Sequence, residues 1–180
     1  MIAIDNTTPV ILGEVLFDSF PDGTSVLGGA PFNVAWHLQG FGLSPLMISS
    51  VGSDEHGKIV LETMRNWGMD TQGIQKDAQH PTGKVTVRLE DGQPSYDIEA
   101  DQAYDNIDPE QVLSLLDAKD FSMLYHGSLL TRTAQSRSML DRVLEATMLP
   151  SFVDINLRPP WWTKQDSHQS LSQATWVKLN

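Results

Sequence analysis

The feature that most constrains this chain is the alternation of short apolar runs with apolar stripes at helical spacing. Val10 to Phe17 is rich in β-branched and large apolar residues and predicts a buried strand. A polar turn leads to Gly28-Gly29-Ala30-Pro31. Val34, Leu38 and Phe41 then recur at i, i+4 and i+7, which predicts a helix ending near Gly40 or Gly42. Leu46 to Val51 is a second buried strand, and Val60, Met64 and Trp67 form another helical stripe, stopped at Gly68. Strands that alternate with helices in this way predict βαβ units and a parallel sheet, because parallel neighbours need a crossover connection.

The middle of the chain breaks the rhythm. Val85, Val87 and Leu89 alternate with Lys84, Thr86 and Arg88; Asp91-Gly92 is a hairpin turn signal, and Tyr96 and Ile98 alternate after it. A half-polar antiparallel hairpin within residues 82–100 predicts a small sheet projecting from the main body, with one face wet or covering a cleft. The rhythm then returns. Asp108-Pro109-Glu110-Gln111 reads as a helix start, with Val112, Leu115 and Leu116 on its apolar face. Phe121 to Tyr125 is a strand, Leu140, Val143 and Leu144 mark a helix, and Pro150 to Ile155 and Ala174 to Leu179 are strands. The last strand is followed by no covering helix. A parallel sheet needs both faces covered, so the 180 residues read as part of one larger domain that stops within its sheet.

Charge and composition narrow the function classes. Twelve Lys and Arg against 23 Asp and Glu give a net charge of −11, which repels a nucleic-acid backbone and an anionic membrane surface. With no cysteine, disulfides, thiolate metal sites and a cysteine nucleophile are excluded. No run has the length of a membrane span, and the N-terminus lacks the basic and apolar regions of a secretory signal. A cytoplasmic protein is expected, and Asn6-Thr7-Thr8 is then a plain polar segment rather than a glycosylation site. The five histidines show no metal-pair spacing and no HExxH, and no GxSxG elbow is present.

Four segments carry candidate chemistry. Gly52 to Lys58 matches GxxxxGK between a strand and a helix, but Ile59 stands where a P-loop needs Ser or Thr, and Asp54 and Glu55 would occupy the phosphate position. An acidic helix N-terminus explains that stretch better. Gly28-Gly29 allows close backbone approach to a ligand, and Asn33 offers a donor and an acceptor at the helix start that follows. A plain glycine turn accounts for the same residues. Asp18 lies just past the first strand, where ligands of open α/β sheets bind, although a turn-capping Asp would look alike. Asp154, Asn156 and Arg158 alternate onto one face as a strand ends, and Trp161 and Trp162 follow as cleft or core residues.

Together these stretches resemble the PfkB (ribokinase-like) carbohydrate kinases, fructokinase branch. The resemblance rests on Gly28-Gly-Ala-Pro-Phe-Asn33-Val-Ala-Trp-His-Leu-Gln-Gly-Phe-Gly42, Gly52 with Gly57, Gly13-Glu-Val-Leu-Phe-Asp18, Ser95-Tyr96-Asp97-Ile98 and Asp154-Ile-Asn156-Leu-Arg158-Pro-Pro. It implies a mostly parallel sheet flanked by helices, with a small β-lid over a sugar, and the C-terminal part of the fold missing. It implies a kinase using ATP and magnesium, with Asp18, Gly28, Gly29 and Asn33 holding sugar hydroxyls. Tyr96 and Ile98 would come from the lid, and Asn156 and Arg158 would face the sugar or the transferred phosphate. Thr175 to Asn180 resembles the start of a metal-and-phosphate motif, Asn-x-x-Glu, which would place Lys178 and Asn180 near the nucleotide. The family's Asp-Thr-x-Gly-Ala-Gly-Asp segment, with its anion hole and general base, is absent, so no catalytic residue is assigned and the base is expected beyond Asn180. The resemblance also implies a homodimer through the lid. The competing expectation is a non-catalytic sugar-binding or partner protein.

Overall fold

The computed structural model describes residues 8–90 and 93–179, and it breaks the first apolar run at Gly13. The Asp91-Gly92 turn, Asn6-Thr7 and Asn180 lie outside the described residues. The elements are β1 (Thr8–Leu12), β2 (Leu16–Ser19), β3 (Ser25–Gly28), α1 (Ala30–Gly40), β4 (Leu46–Gly52), α2 (Glu55–Asn66) and β5 (Ile74–Asp77). They continue with β6 (Gly83–Glu90), β7 (Gln93–Ile98), α3 (Pro109–Leu116), β8 (Phe121–Gly127), α4 (Ala134–Thr147), β9 (Ser151–Ile155), α5 (Lys164–Gln173) and β10 (Trp176–Leu179). Short 3-10 turns cover Ala103–Asn106 and Ser128–Arg132.

One strand was expected from Val10 to Phe17, and the chain makes two, in different sheets. The reason is steric. The Gly13 amide donates to the Ile48 carbonyl at 3.1 Å, and a Cβ at Gly13 would lie 2.4 Å from the Pro31 ring. The chain passes the first turn of α1 at this point and crosses from the main sheet into the second one.

The main sheet has the order β10-β9-β8-β1-β4-β5, with every pairing parallel. Alternate residues of its central strands feed two cores. Ile11, Met47 and Tyr125 face α1 and α2, where Phe32, Ala35, Val60 and Met64 are buried. Val10, Leu12, Ile48 and Leu124 face α3 and α4, where Val112, Met139 and Val143 are buried. Burial on both faces is why these strands read as unbroken apolar runs. From β1 the chain first adds β4 and β5 on one side, then β8, β9 and β10 on the other. The β1/β8 junction is therefore a topological switch point, where a crevice opens at the strand ends.

The second sheet, β3-β2-β6-β7, has four strands where only a hairpin was expected. β6 and β7 fall within residues 82–100, and β2 and β3 complete it. Two polar ties hold it to the body. Asp54 caps α2 by accepting from Gly57 N at 2.8 Å, and it accepts from Thr82 N at 2.8 Å and Thr82 Oγ1 at 2.7 Å just before β6. Desolvation opposes the Asp54 charge, but these donors outweigh it and hold the carboxyl below its usual range. The carboxylate fills the turn after β4, as the acidic helix-start reading of Gly52–Ile59 requires. At the other end of the sheet the Arg132 side chain is fully buried. It donates Nε to Asp105 Oδ1 at 2.7 Å and Nη2 to the Glu99 carbonyl at 2.8 Å. Its guanidinium lies between the Tyr104 and Trp161 rings, 4.8 and 4.6 Å from their centroids.

Three elements carried no sequence signal: β3, β5 and α5. α5 buries only Ser170 and is held by polar contacts, with Thr163 as N-cap and Gln169 and Gln173 donating to Asp141. β10 is an edge strand with Trp176 50% and Leu179 69% exposed. Trp176, in register with Phe152, extends an apolar trough formed by Val34, Leu38, Leu43, Met123, Tyr125 and Phe152.

Asp54→Ala is expected to lower stability by roughly 2–3 kcal/mol, from loss of an N-cap and of hydrogen bonds to a charged acceptor. Chemical denaturation checks this, with an unchanged far-UV dichroism spectrum for the variant at low denaturant. The exposed edge and trough predict binding of a hydrophobic dye and concentration-dependent self-association. The double variant Trp176→Lys/Leu179→Lys should reduce both; unchanged fluorescence and sedimentation would count against this account of the edge.

Candidate functional site

A cavity of about 270 Å³ opens at the β1/β8 switch point. Its floor is Glu14, at the crossing between β1 and β2, with Gly127 and Ser128 at the end of β8. One wall is the start of α1, with Gly29, Ala30 and Asn33. The second sheet roofs it with Leu16, Asp18, Val85, Tyr96 and Ile98. Asp154, Asn156 and Arg158 close the far side.

Seven of the expected site residues thus line one cavity: Asp18, Gly29, Asn33, Tyr96, Ile98, Asn156 and Arg158. Gly28 stands behind that wall in β3, where a Cβ would lie 3.5 Å from Asp18 Oδ2. Lys178 is not in the cavity wall. Its Nζ donates to Asp154 Oδ1 and Oδ2 at 2.9 and 3.0 Å, at the border between the cavity and the apolar trough. Asn180 is outside the described residues. Trp161 packs on Leu16, Val85 and Ile98 behind the roof, whereas Trp162 is 40% exposed.

The wall at α1 depends on Gly29. It is the N-cap residue, with φ +107° and no side-chain cap. A Cβ there would lie 2.6 Å from the Glu14 carbonyl oxygen. Only glycine allows the helix start to approach the strand crossing this closely, so backbone N–H groups and the positive end of α1 face the cavity.

Glu14, Ser128 and Asp154 also line the cavity; the sequence reading singled out Asp154 on the strand-end face without giving it a ligand, and assigned Glu14 and Ser128 no binding role. Glu14 had one available signal, a lone carboxylate inside an apolar run. Its side chain is buried, and burial pushes its pKa up to about 7. The amides of Glu14 and Ala30 and the charge of Arg132 pull it back, while Asp154 pushes it further up. Desolvation also raises Asp18. Asp154 accepts from Tyr125 Oη at 3.0 Å besides Lys178. Desolvation first, and then the Asp154 charge, raises the Tyr125 phenol.

No histidine lines the cavity. His126 is wholly buried, which drives its pKa down to about 4, and it is a neutral core residue. His56 stacks on Phe17 at 4.2 Å, and His80 pairs with Asp77 at 2.7 Å. Among the described residues no group of three or more His, Asp or Glu side chains is arranged to hold a metal, and no helix is long and apolar enough to cross a membrane. Chemically, the cavity offers carboxylate acceptors, two side-chain amides, a hydroxyl, a guanidinium fork and helix-start N–H groups. A small molecule carrying several hydroxyls requires such a mixed set.

Residues 13–180 match the family described as pfkB family carbohydrate kinase. A sugar kinase of Pyrococcus horikoshii is 31% identical over 166 residues, which is 91% of this chain and 51% of that protein. Fructokinase-1 of Zea mays is 27% identical over 184 residues, 93% of this chain and 56% of that one. The crystal structure of a fructokinase with bound ATP from Xylella fastidiosa superposes with a TM-score of 0.83 at 22% identity, over 97% of this chain and 57% of that one, and shares its fold. The chain therefore spans about half the length of the curated relatives it matches. Its main sheet is parallel and flanked by helices, as in a ribokinase-like fold, and the chain belongs to the pfkB family of carbohydrate kinases.

Proposed function

We propose that the cavity holds a sugar, with fructose as the representative substrate, for transfer of the ATP γ-phosphoryl group to a sugar hydroxyl. The observation that carries this reading is the convergence of Asp18, Gly29, Asn33, Asn156 and Arg158 on one cavity at the switch point, beneath a small sheet. Family membership and the names of the relatives support it. In this reading Asp18 accepts hydrogen bonds from two hydroxyls, Asn33 and Asn156 donate and accept, and Tyr96 and Ile98 cover the sugar and exclude water. Arg158 supplies a planar fork for the sugar or the phosphoryl group. Phosphoryl transfer depends on positioning and electrostatic stabilisation, and this chain supplies positioning of the acceptor.

The base and the anion hole are assigned to a segment of the form Asp-Thr-x-Gly-Ala-Gly-Asp, which the 180 residues do not contain. In this reading most nucleotide contacts are assigned to the same segment, and no step is routed through magnesium, for which the described residues offer no group of three or more His, Asp or Glu. The same reading places the protein in the cytoplasm and a homodimer contact on the lid, where Phe20, Val26 and Tyr96 are exposed. The alternative reading is a non-catalytic sugar-binding protein or partner subunit.

Calorimetric titration is expected to show D-fructose binding to the chain. Asp18→Ala should weaken it about ten- to a hundredfold, the value of a hydrogen bond to a charged group. Gly29→Val should weaken it too, and neither change should alter ATP affinity measured without sugar. Parent-like affinity in Asp18→Ala would return Asp18 to a turn-capping role. A coupled ADP-release assay with fructose is expected to give no turnover above background, since acid–base help alone is worth on the order of 10²–10⁴ in rate. Turnover at ordinary kinase rates would place the base within these residues.

A further inference from the structure

Glu14 is a buried carboxyl whose partners in the fold, the amides of Glu14 and Ala30 and the charge of Arg132, leave one oxygen without a hydrogen bond. Its residue is only 3% exposed, and its Oε2 has no hydrogen-bond partner. It interrupts a run in which Val10, Ile11, Leu12, Val15, Leu16 and Phe17 are all buried apolar residues. An unpaired buried carboxyl oxygen in a native structure calls for a reason, because desolvating it without compensation is costly. The reason lies in its position. Glu14 lines the cavity at the switch point, and both carboxyl oxygens lie about 4.0 Å from where a Cβ on Gly127 would be. The glycine leaves the carboxyl room toward the end of β8.

We infer that Glu14 is a ligand-binding residue of this cavity, its unpartnered oxygen accepting a hydrogen bond from a ligand hydroxyl. This rests on the sugar reading of the site and adds to it a hydroxyl contact from below, opposite Asp18 in the roof. The nearby ionisable groups leave this oxygen to the ligand. Arg132 bonds Asp105 and the Glu99 carbonyl through Nε and Nη2 and reaches Glu14 only through its charge, its Nη1 and the Tyr104 hydroxyl making no hydrogen bond to the carboxyl; Asp154 binds Lys178 and Tyr125, and burial holds the Tyr104 and Tyr125 phenols neutral. Asp18 and Arg158 face the cavity from the roof and the far side.

A proton then follows the ligand. With its pKa near 7, Glu14 in the empty cavity is a mixture of acid and carboxylate at neutral pH. A hydroxyl that donates to it favours the carboxylate, so binding releases a proton to the buffer and strengthens as pH rises. Stability responds in the opposite sense. The folded pKa is about 7 against 4.5 for the ordinary group, so the contribution of the bound proton is full below 4.5 and lost as pH rises through 7.

The test titrates D-fructose into the chain by calorimetry at pH 5.5 and 8.5, and at pH 7 in two buffers of different ionisation enthalpy. Affinity is expected to rise about tenfold between the two outer pH values, with a fraction of a proton released at pH 7. Glu14→Gln should bind about tenfold more weakly than the parent at pH 8.5 and show neither pH dependence nor proton release. It should also unfold at higher denaturant than the parent at pH 8.5, which shows that it is folded. Fructose affinity that is equal at both pH values without proton release, or parent-like binding by Glu14→Gln at pH 8.5, overturns the role of Glu14 and leaves the sugar reading standing. No fructose binding by the parent at either pH overturns the sugar reading and this inference with it. The parent titrations decide the question even where the variant does not fold.

Discussion

The cavity depends on one close backbone approach, where the chain leaves the main sheet for the second one. Gly13 lies against the Pro31 ring, and Gly29 lies against the Glu14 carbonyl, each closer than any Cβ would allow. These contacts press the start of α1 onto the crossing between β1 and β2. Everything that defines the cavity follows from this. The helix-start N–H groups face inward, Asn33 sits one turn along α1, and Glu14 is carried to the floor. β2 then leaves at an angle that puts Asp18 overhead. A side chain at either glycine would separate the helix from the crossing and open the wall of the cavity.

The roof is fixed at its base by polar interactions, because the second sheet has little core of its own: Leu16, Val85 and Ile98, with Leu129 and Trp161 packed against them. Asp54 joins the α2 start to the residue before β6. Arg132 joins the segment after β7 to the turn after β8. A buried ion pair of this kind adds little net stability over an apolar substitute. Its geometric effect is larger. The bidentate fork to Asp105 and the two flanking rings allow the guanidinium one orientation, and so set where Ile98 and Trp161 stand relative to the strand ends.

How much of this is legible in the sequence follows from where burial is symmetric. Strands buried on both faces, such as Val10–Leu12 and Leu46–Val51, appear as apolar runs, and helices that bury a full stripe appear as stripes. β5 buries Ile74 alone and α5 buries Ser170 alone, so neither leaves a periodic trace. The break at Gly13 is invisible to hydropathy, since residues on both sides of it are buried in different sheets. In the site, Asp18, Asn33 and Arg158 stand near strand ends and a helix start, and position alone could suggest them. Their convergence was expected only through the family resemblance, because β9 lies far along the chain from β2 and α1 and no local pattern links them. Ser128 left no trace; its hydroxyl oxygen accepts from the Asn156 backbone N–H at 3.0 Å, a contact that no pattern in the sequence marks.

The charge arrangement bears on the proposed sugar reading. The chain carries a net charge of −11, and three carboxylates, Glu14, Asp18 and Asp154, line the site. Asp154 is neutralised by Lys178, and Glu14 holds a proton part of the time at neutral pH. That leaves Asp18 against Arg158 across the cavity, a nearly balanced pair. A neutral polyol meets acceptors and donors there without having to displace a counter-ion. The same carboxyl that suffers most from burial, Glu14, thus tunes the cavity: protonated, it lowers the negative charge of the empty site, and ionised, it gives a hydroxyl a strong acceptor.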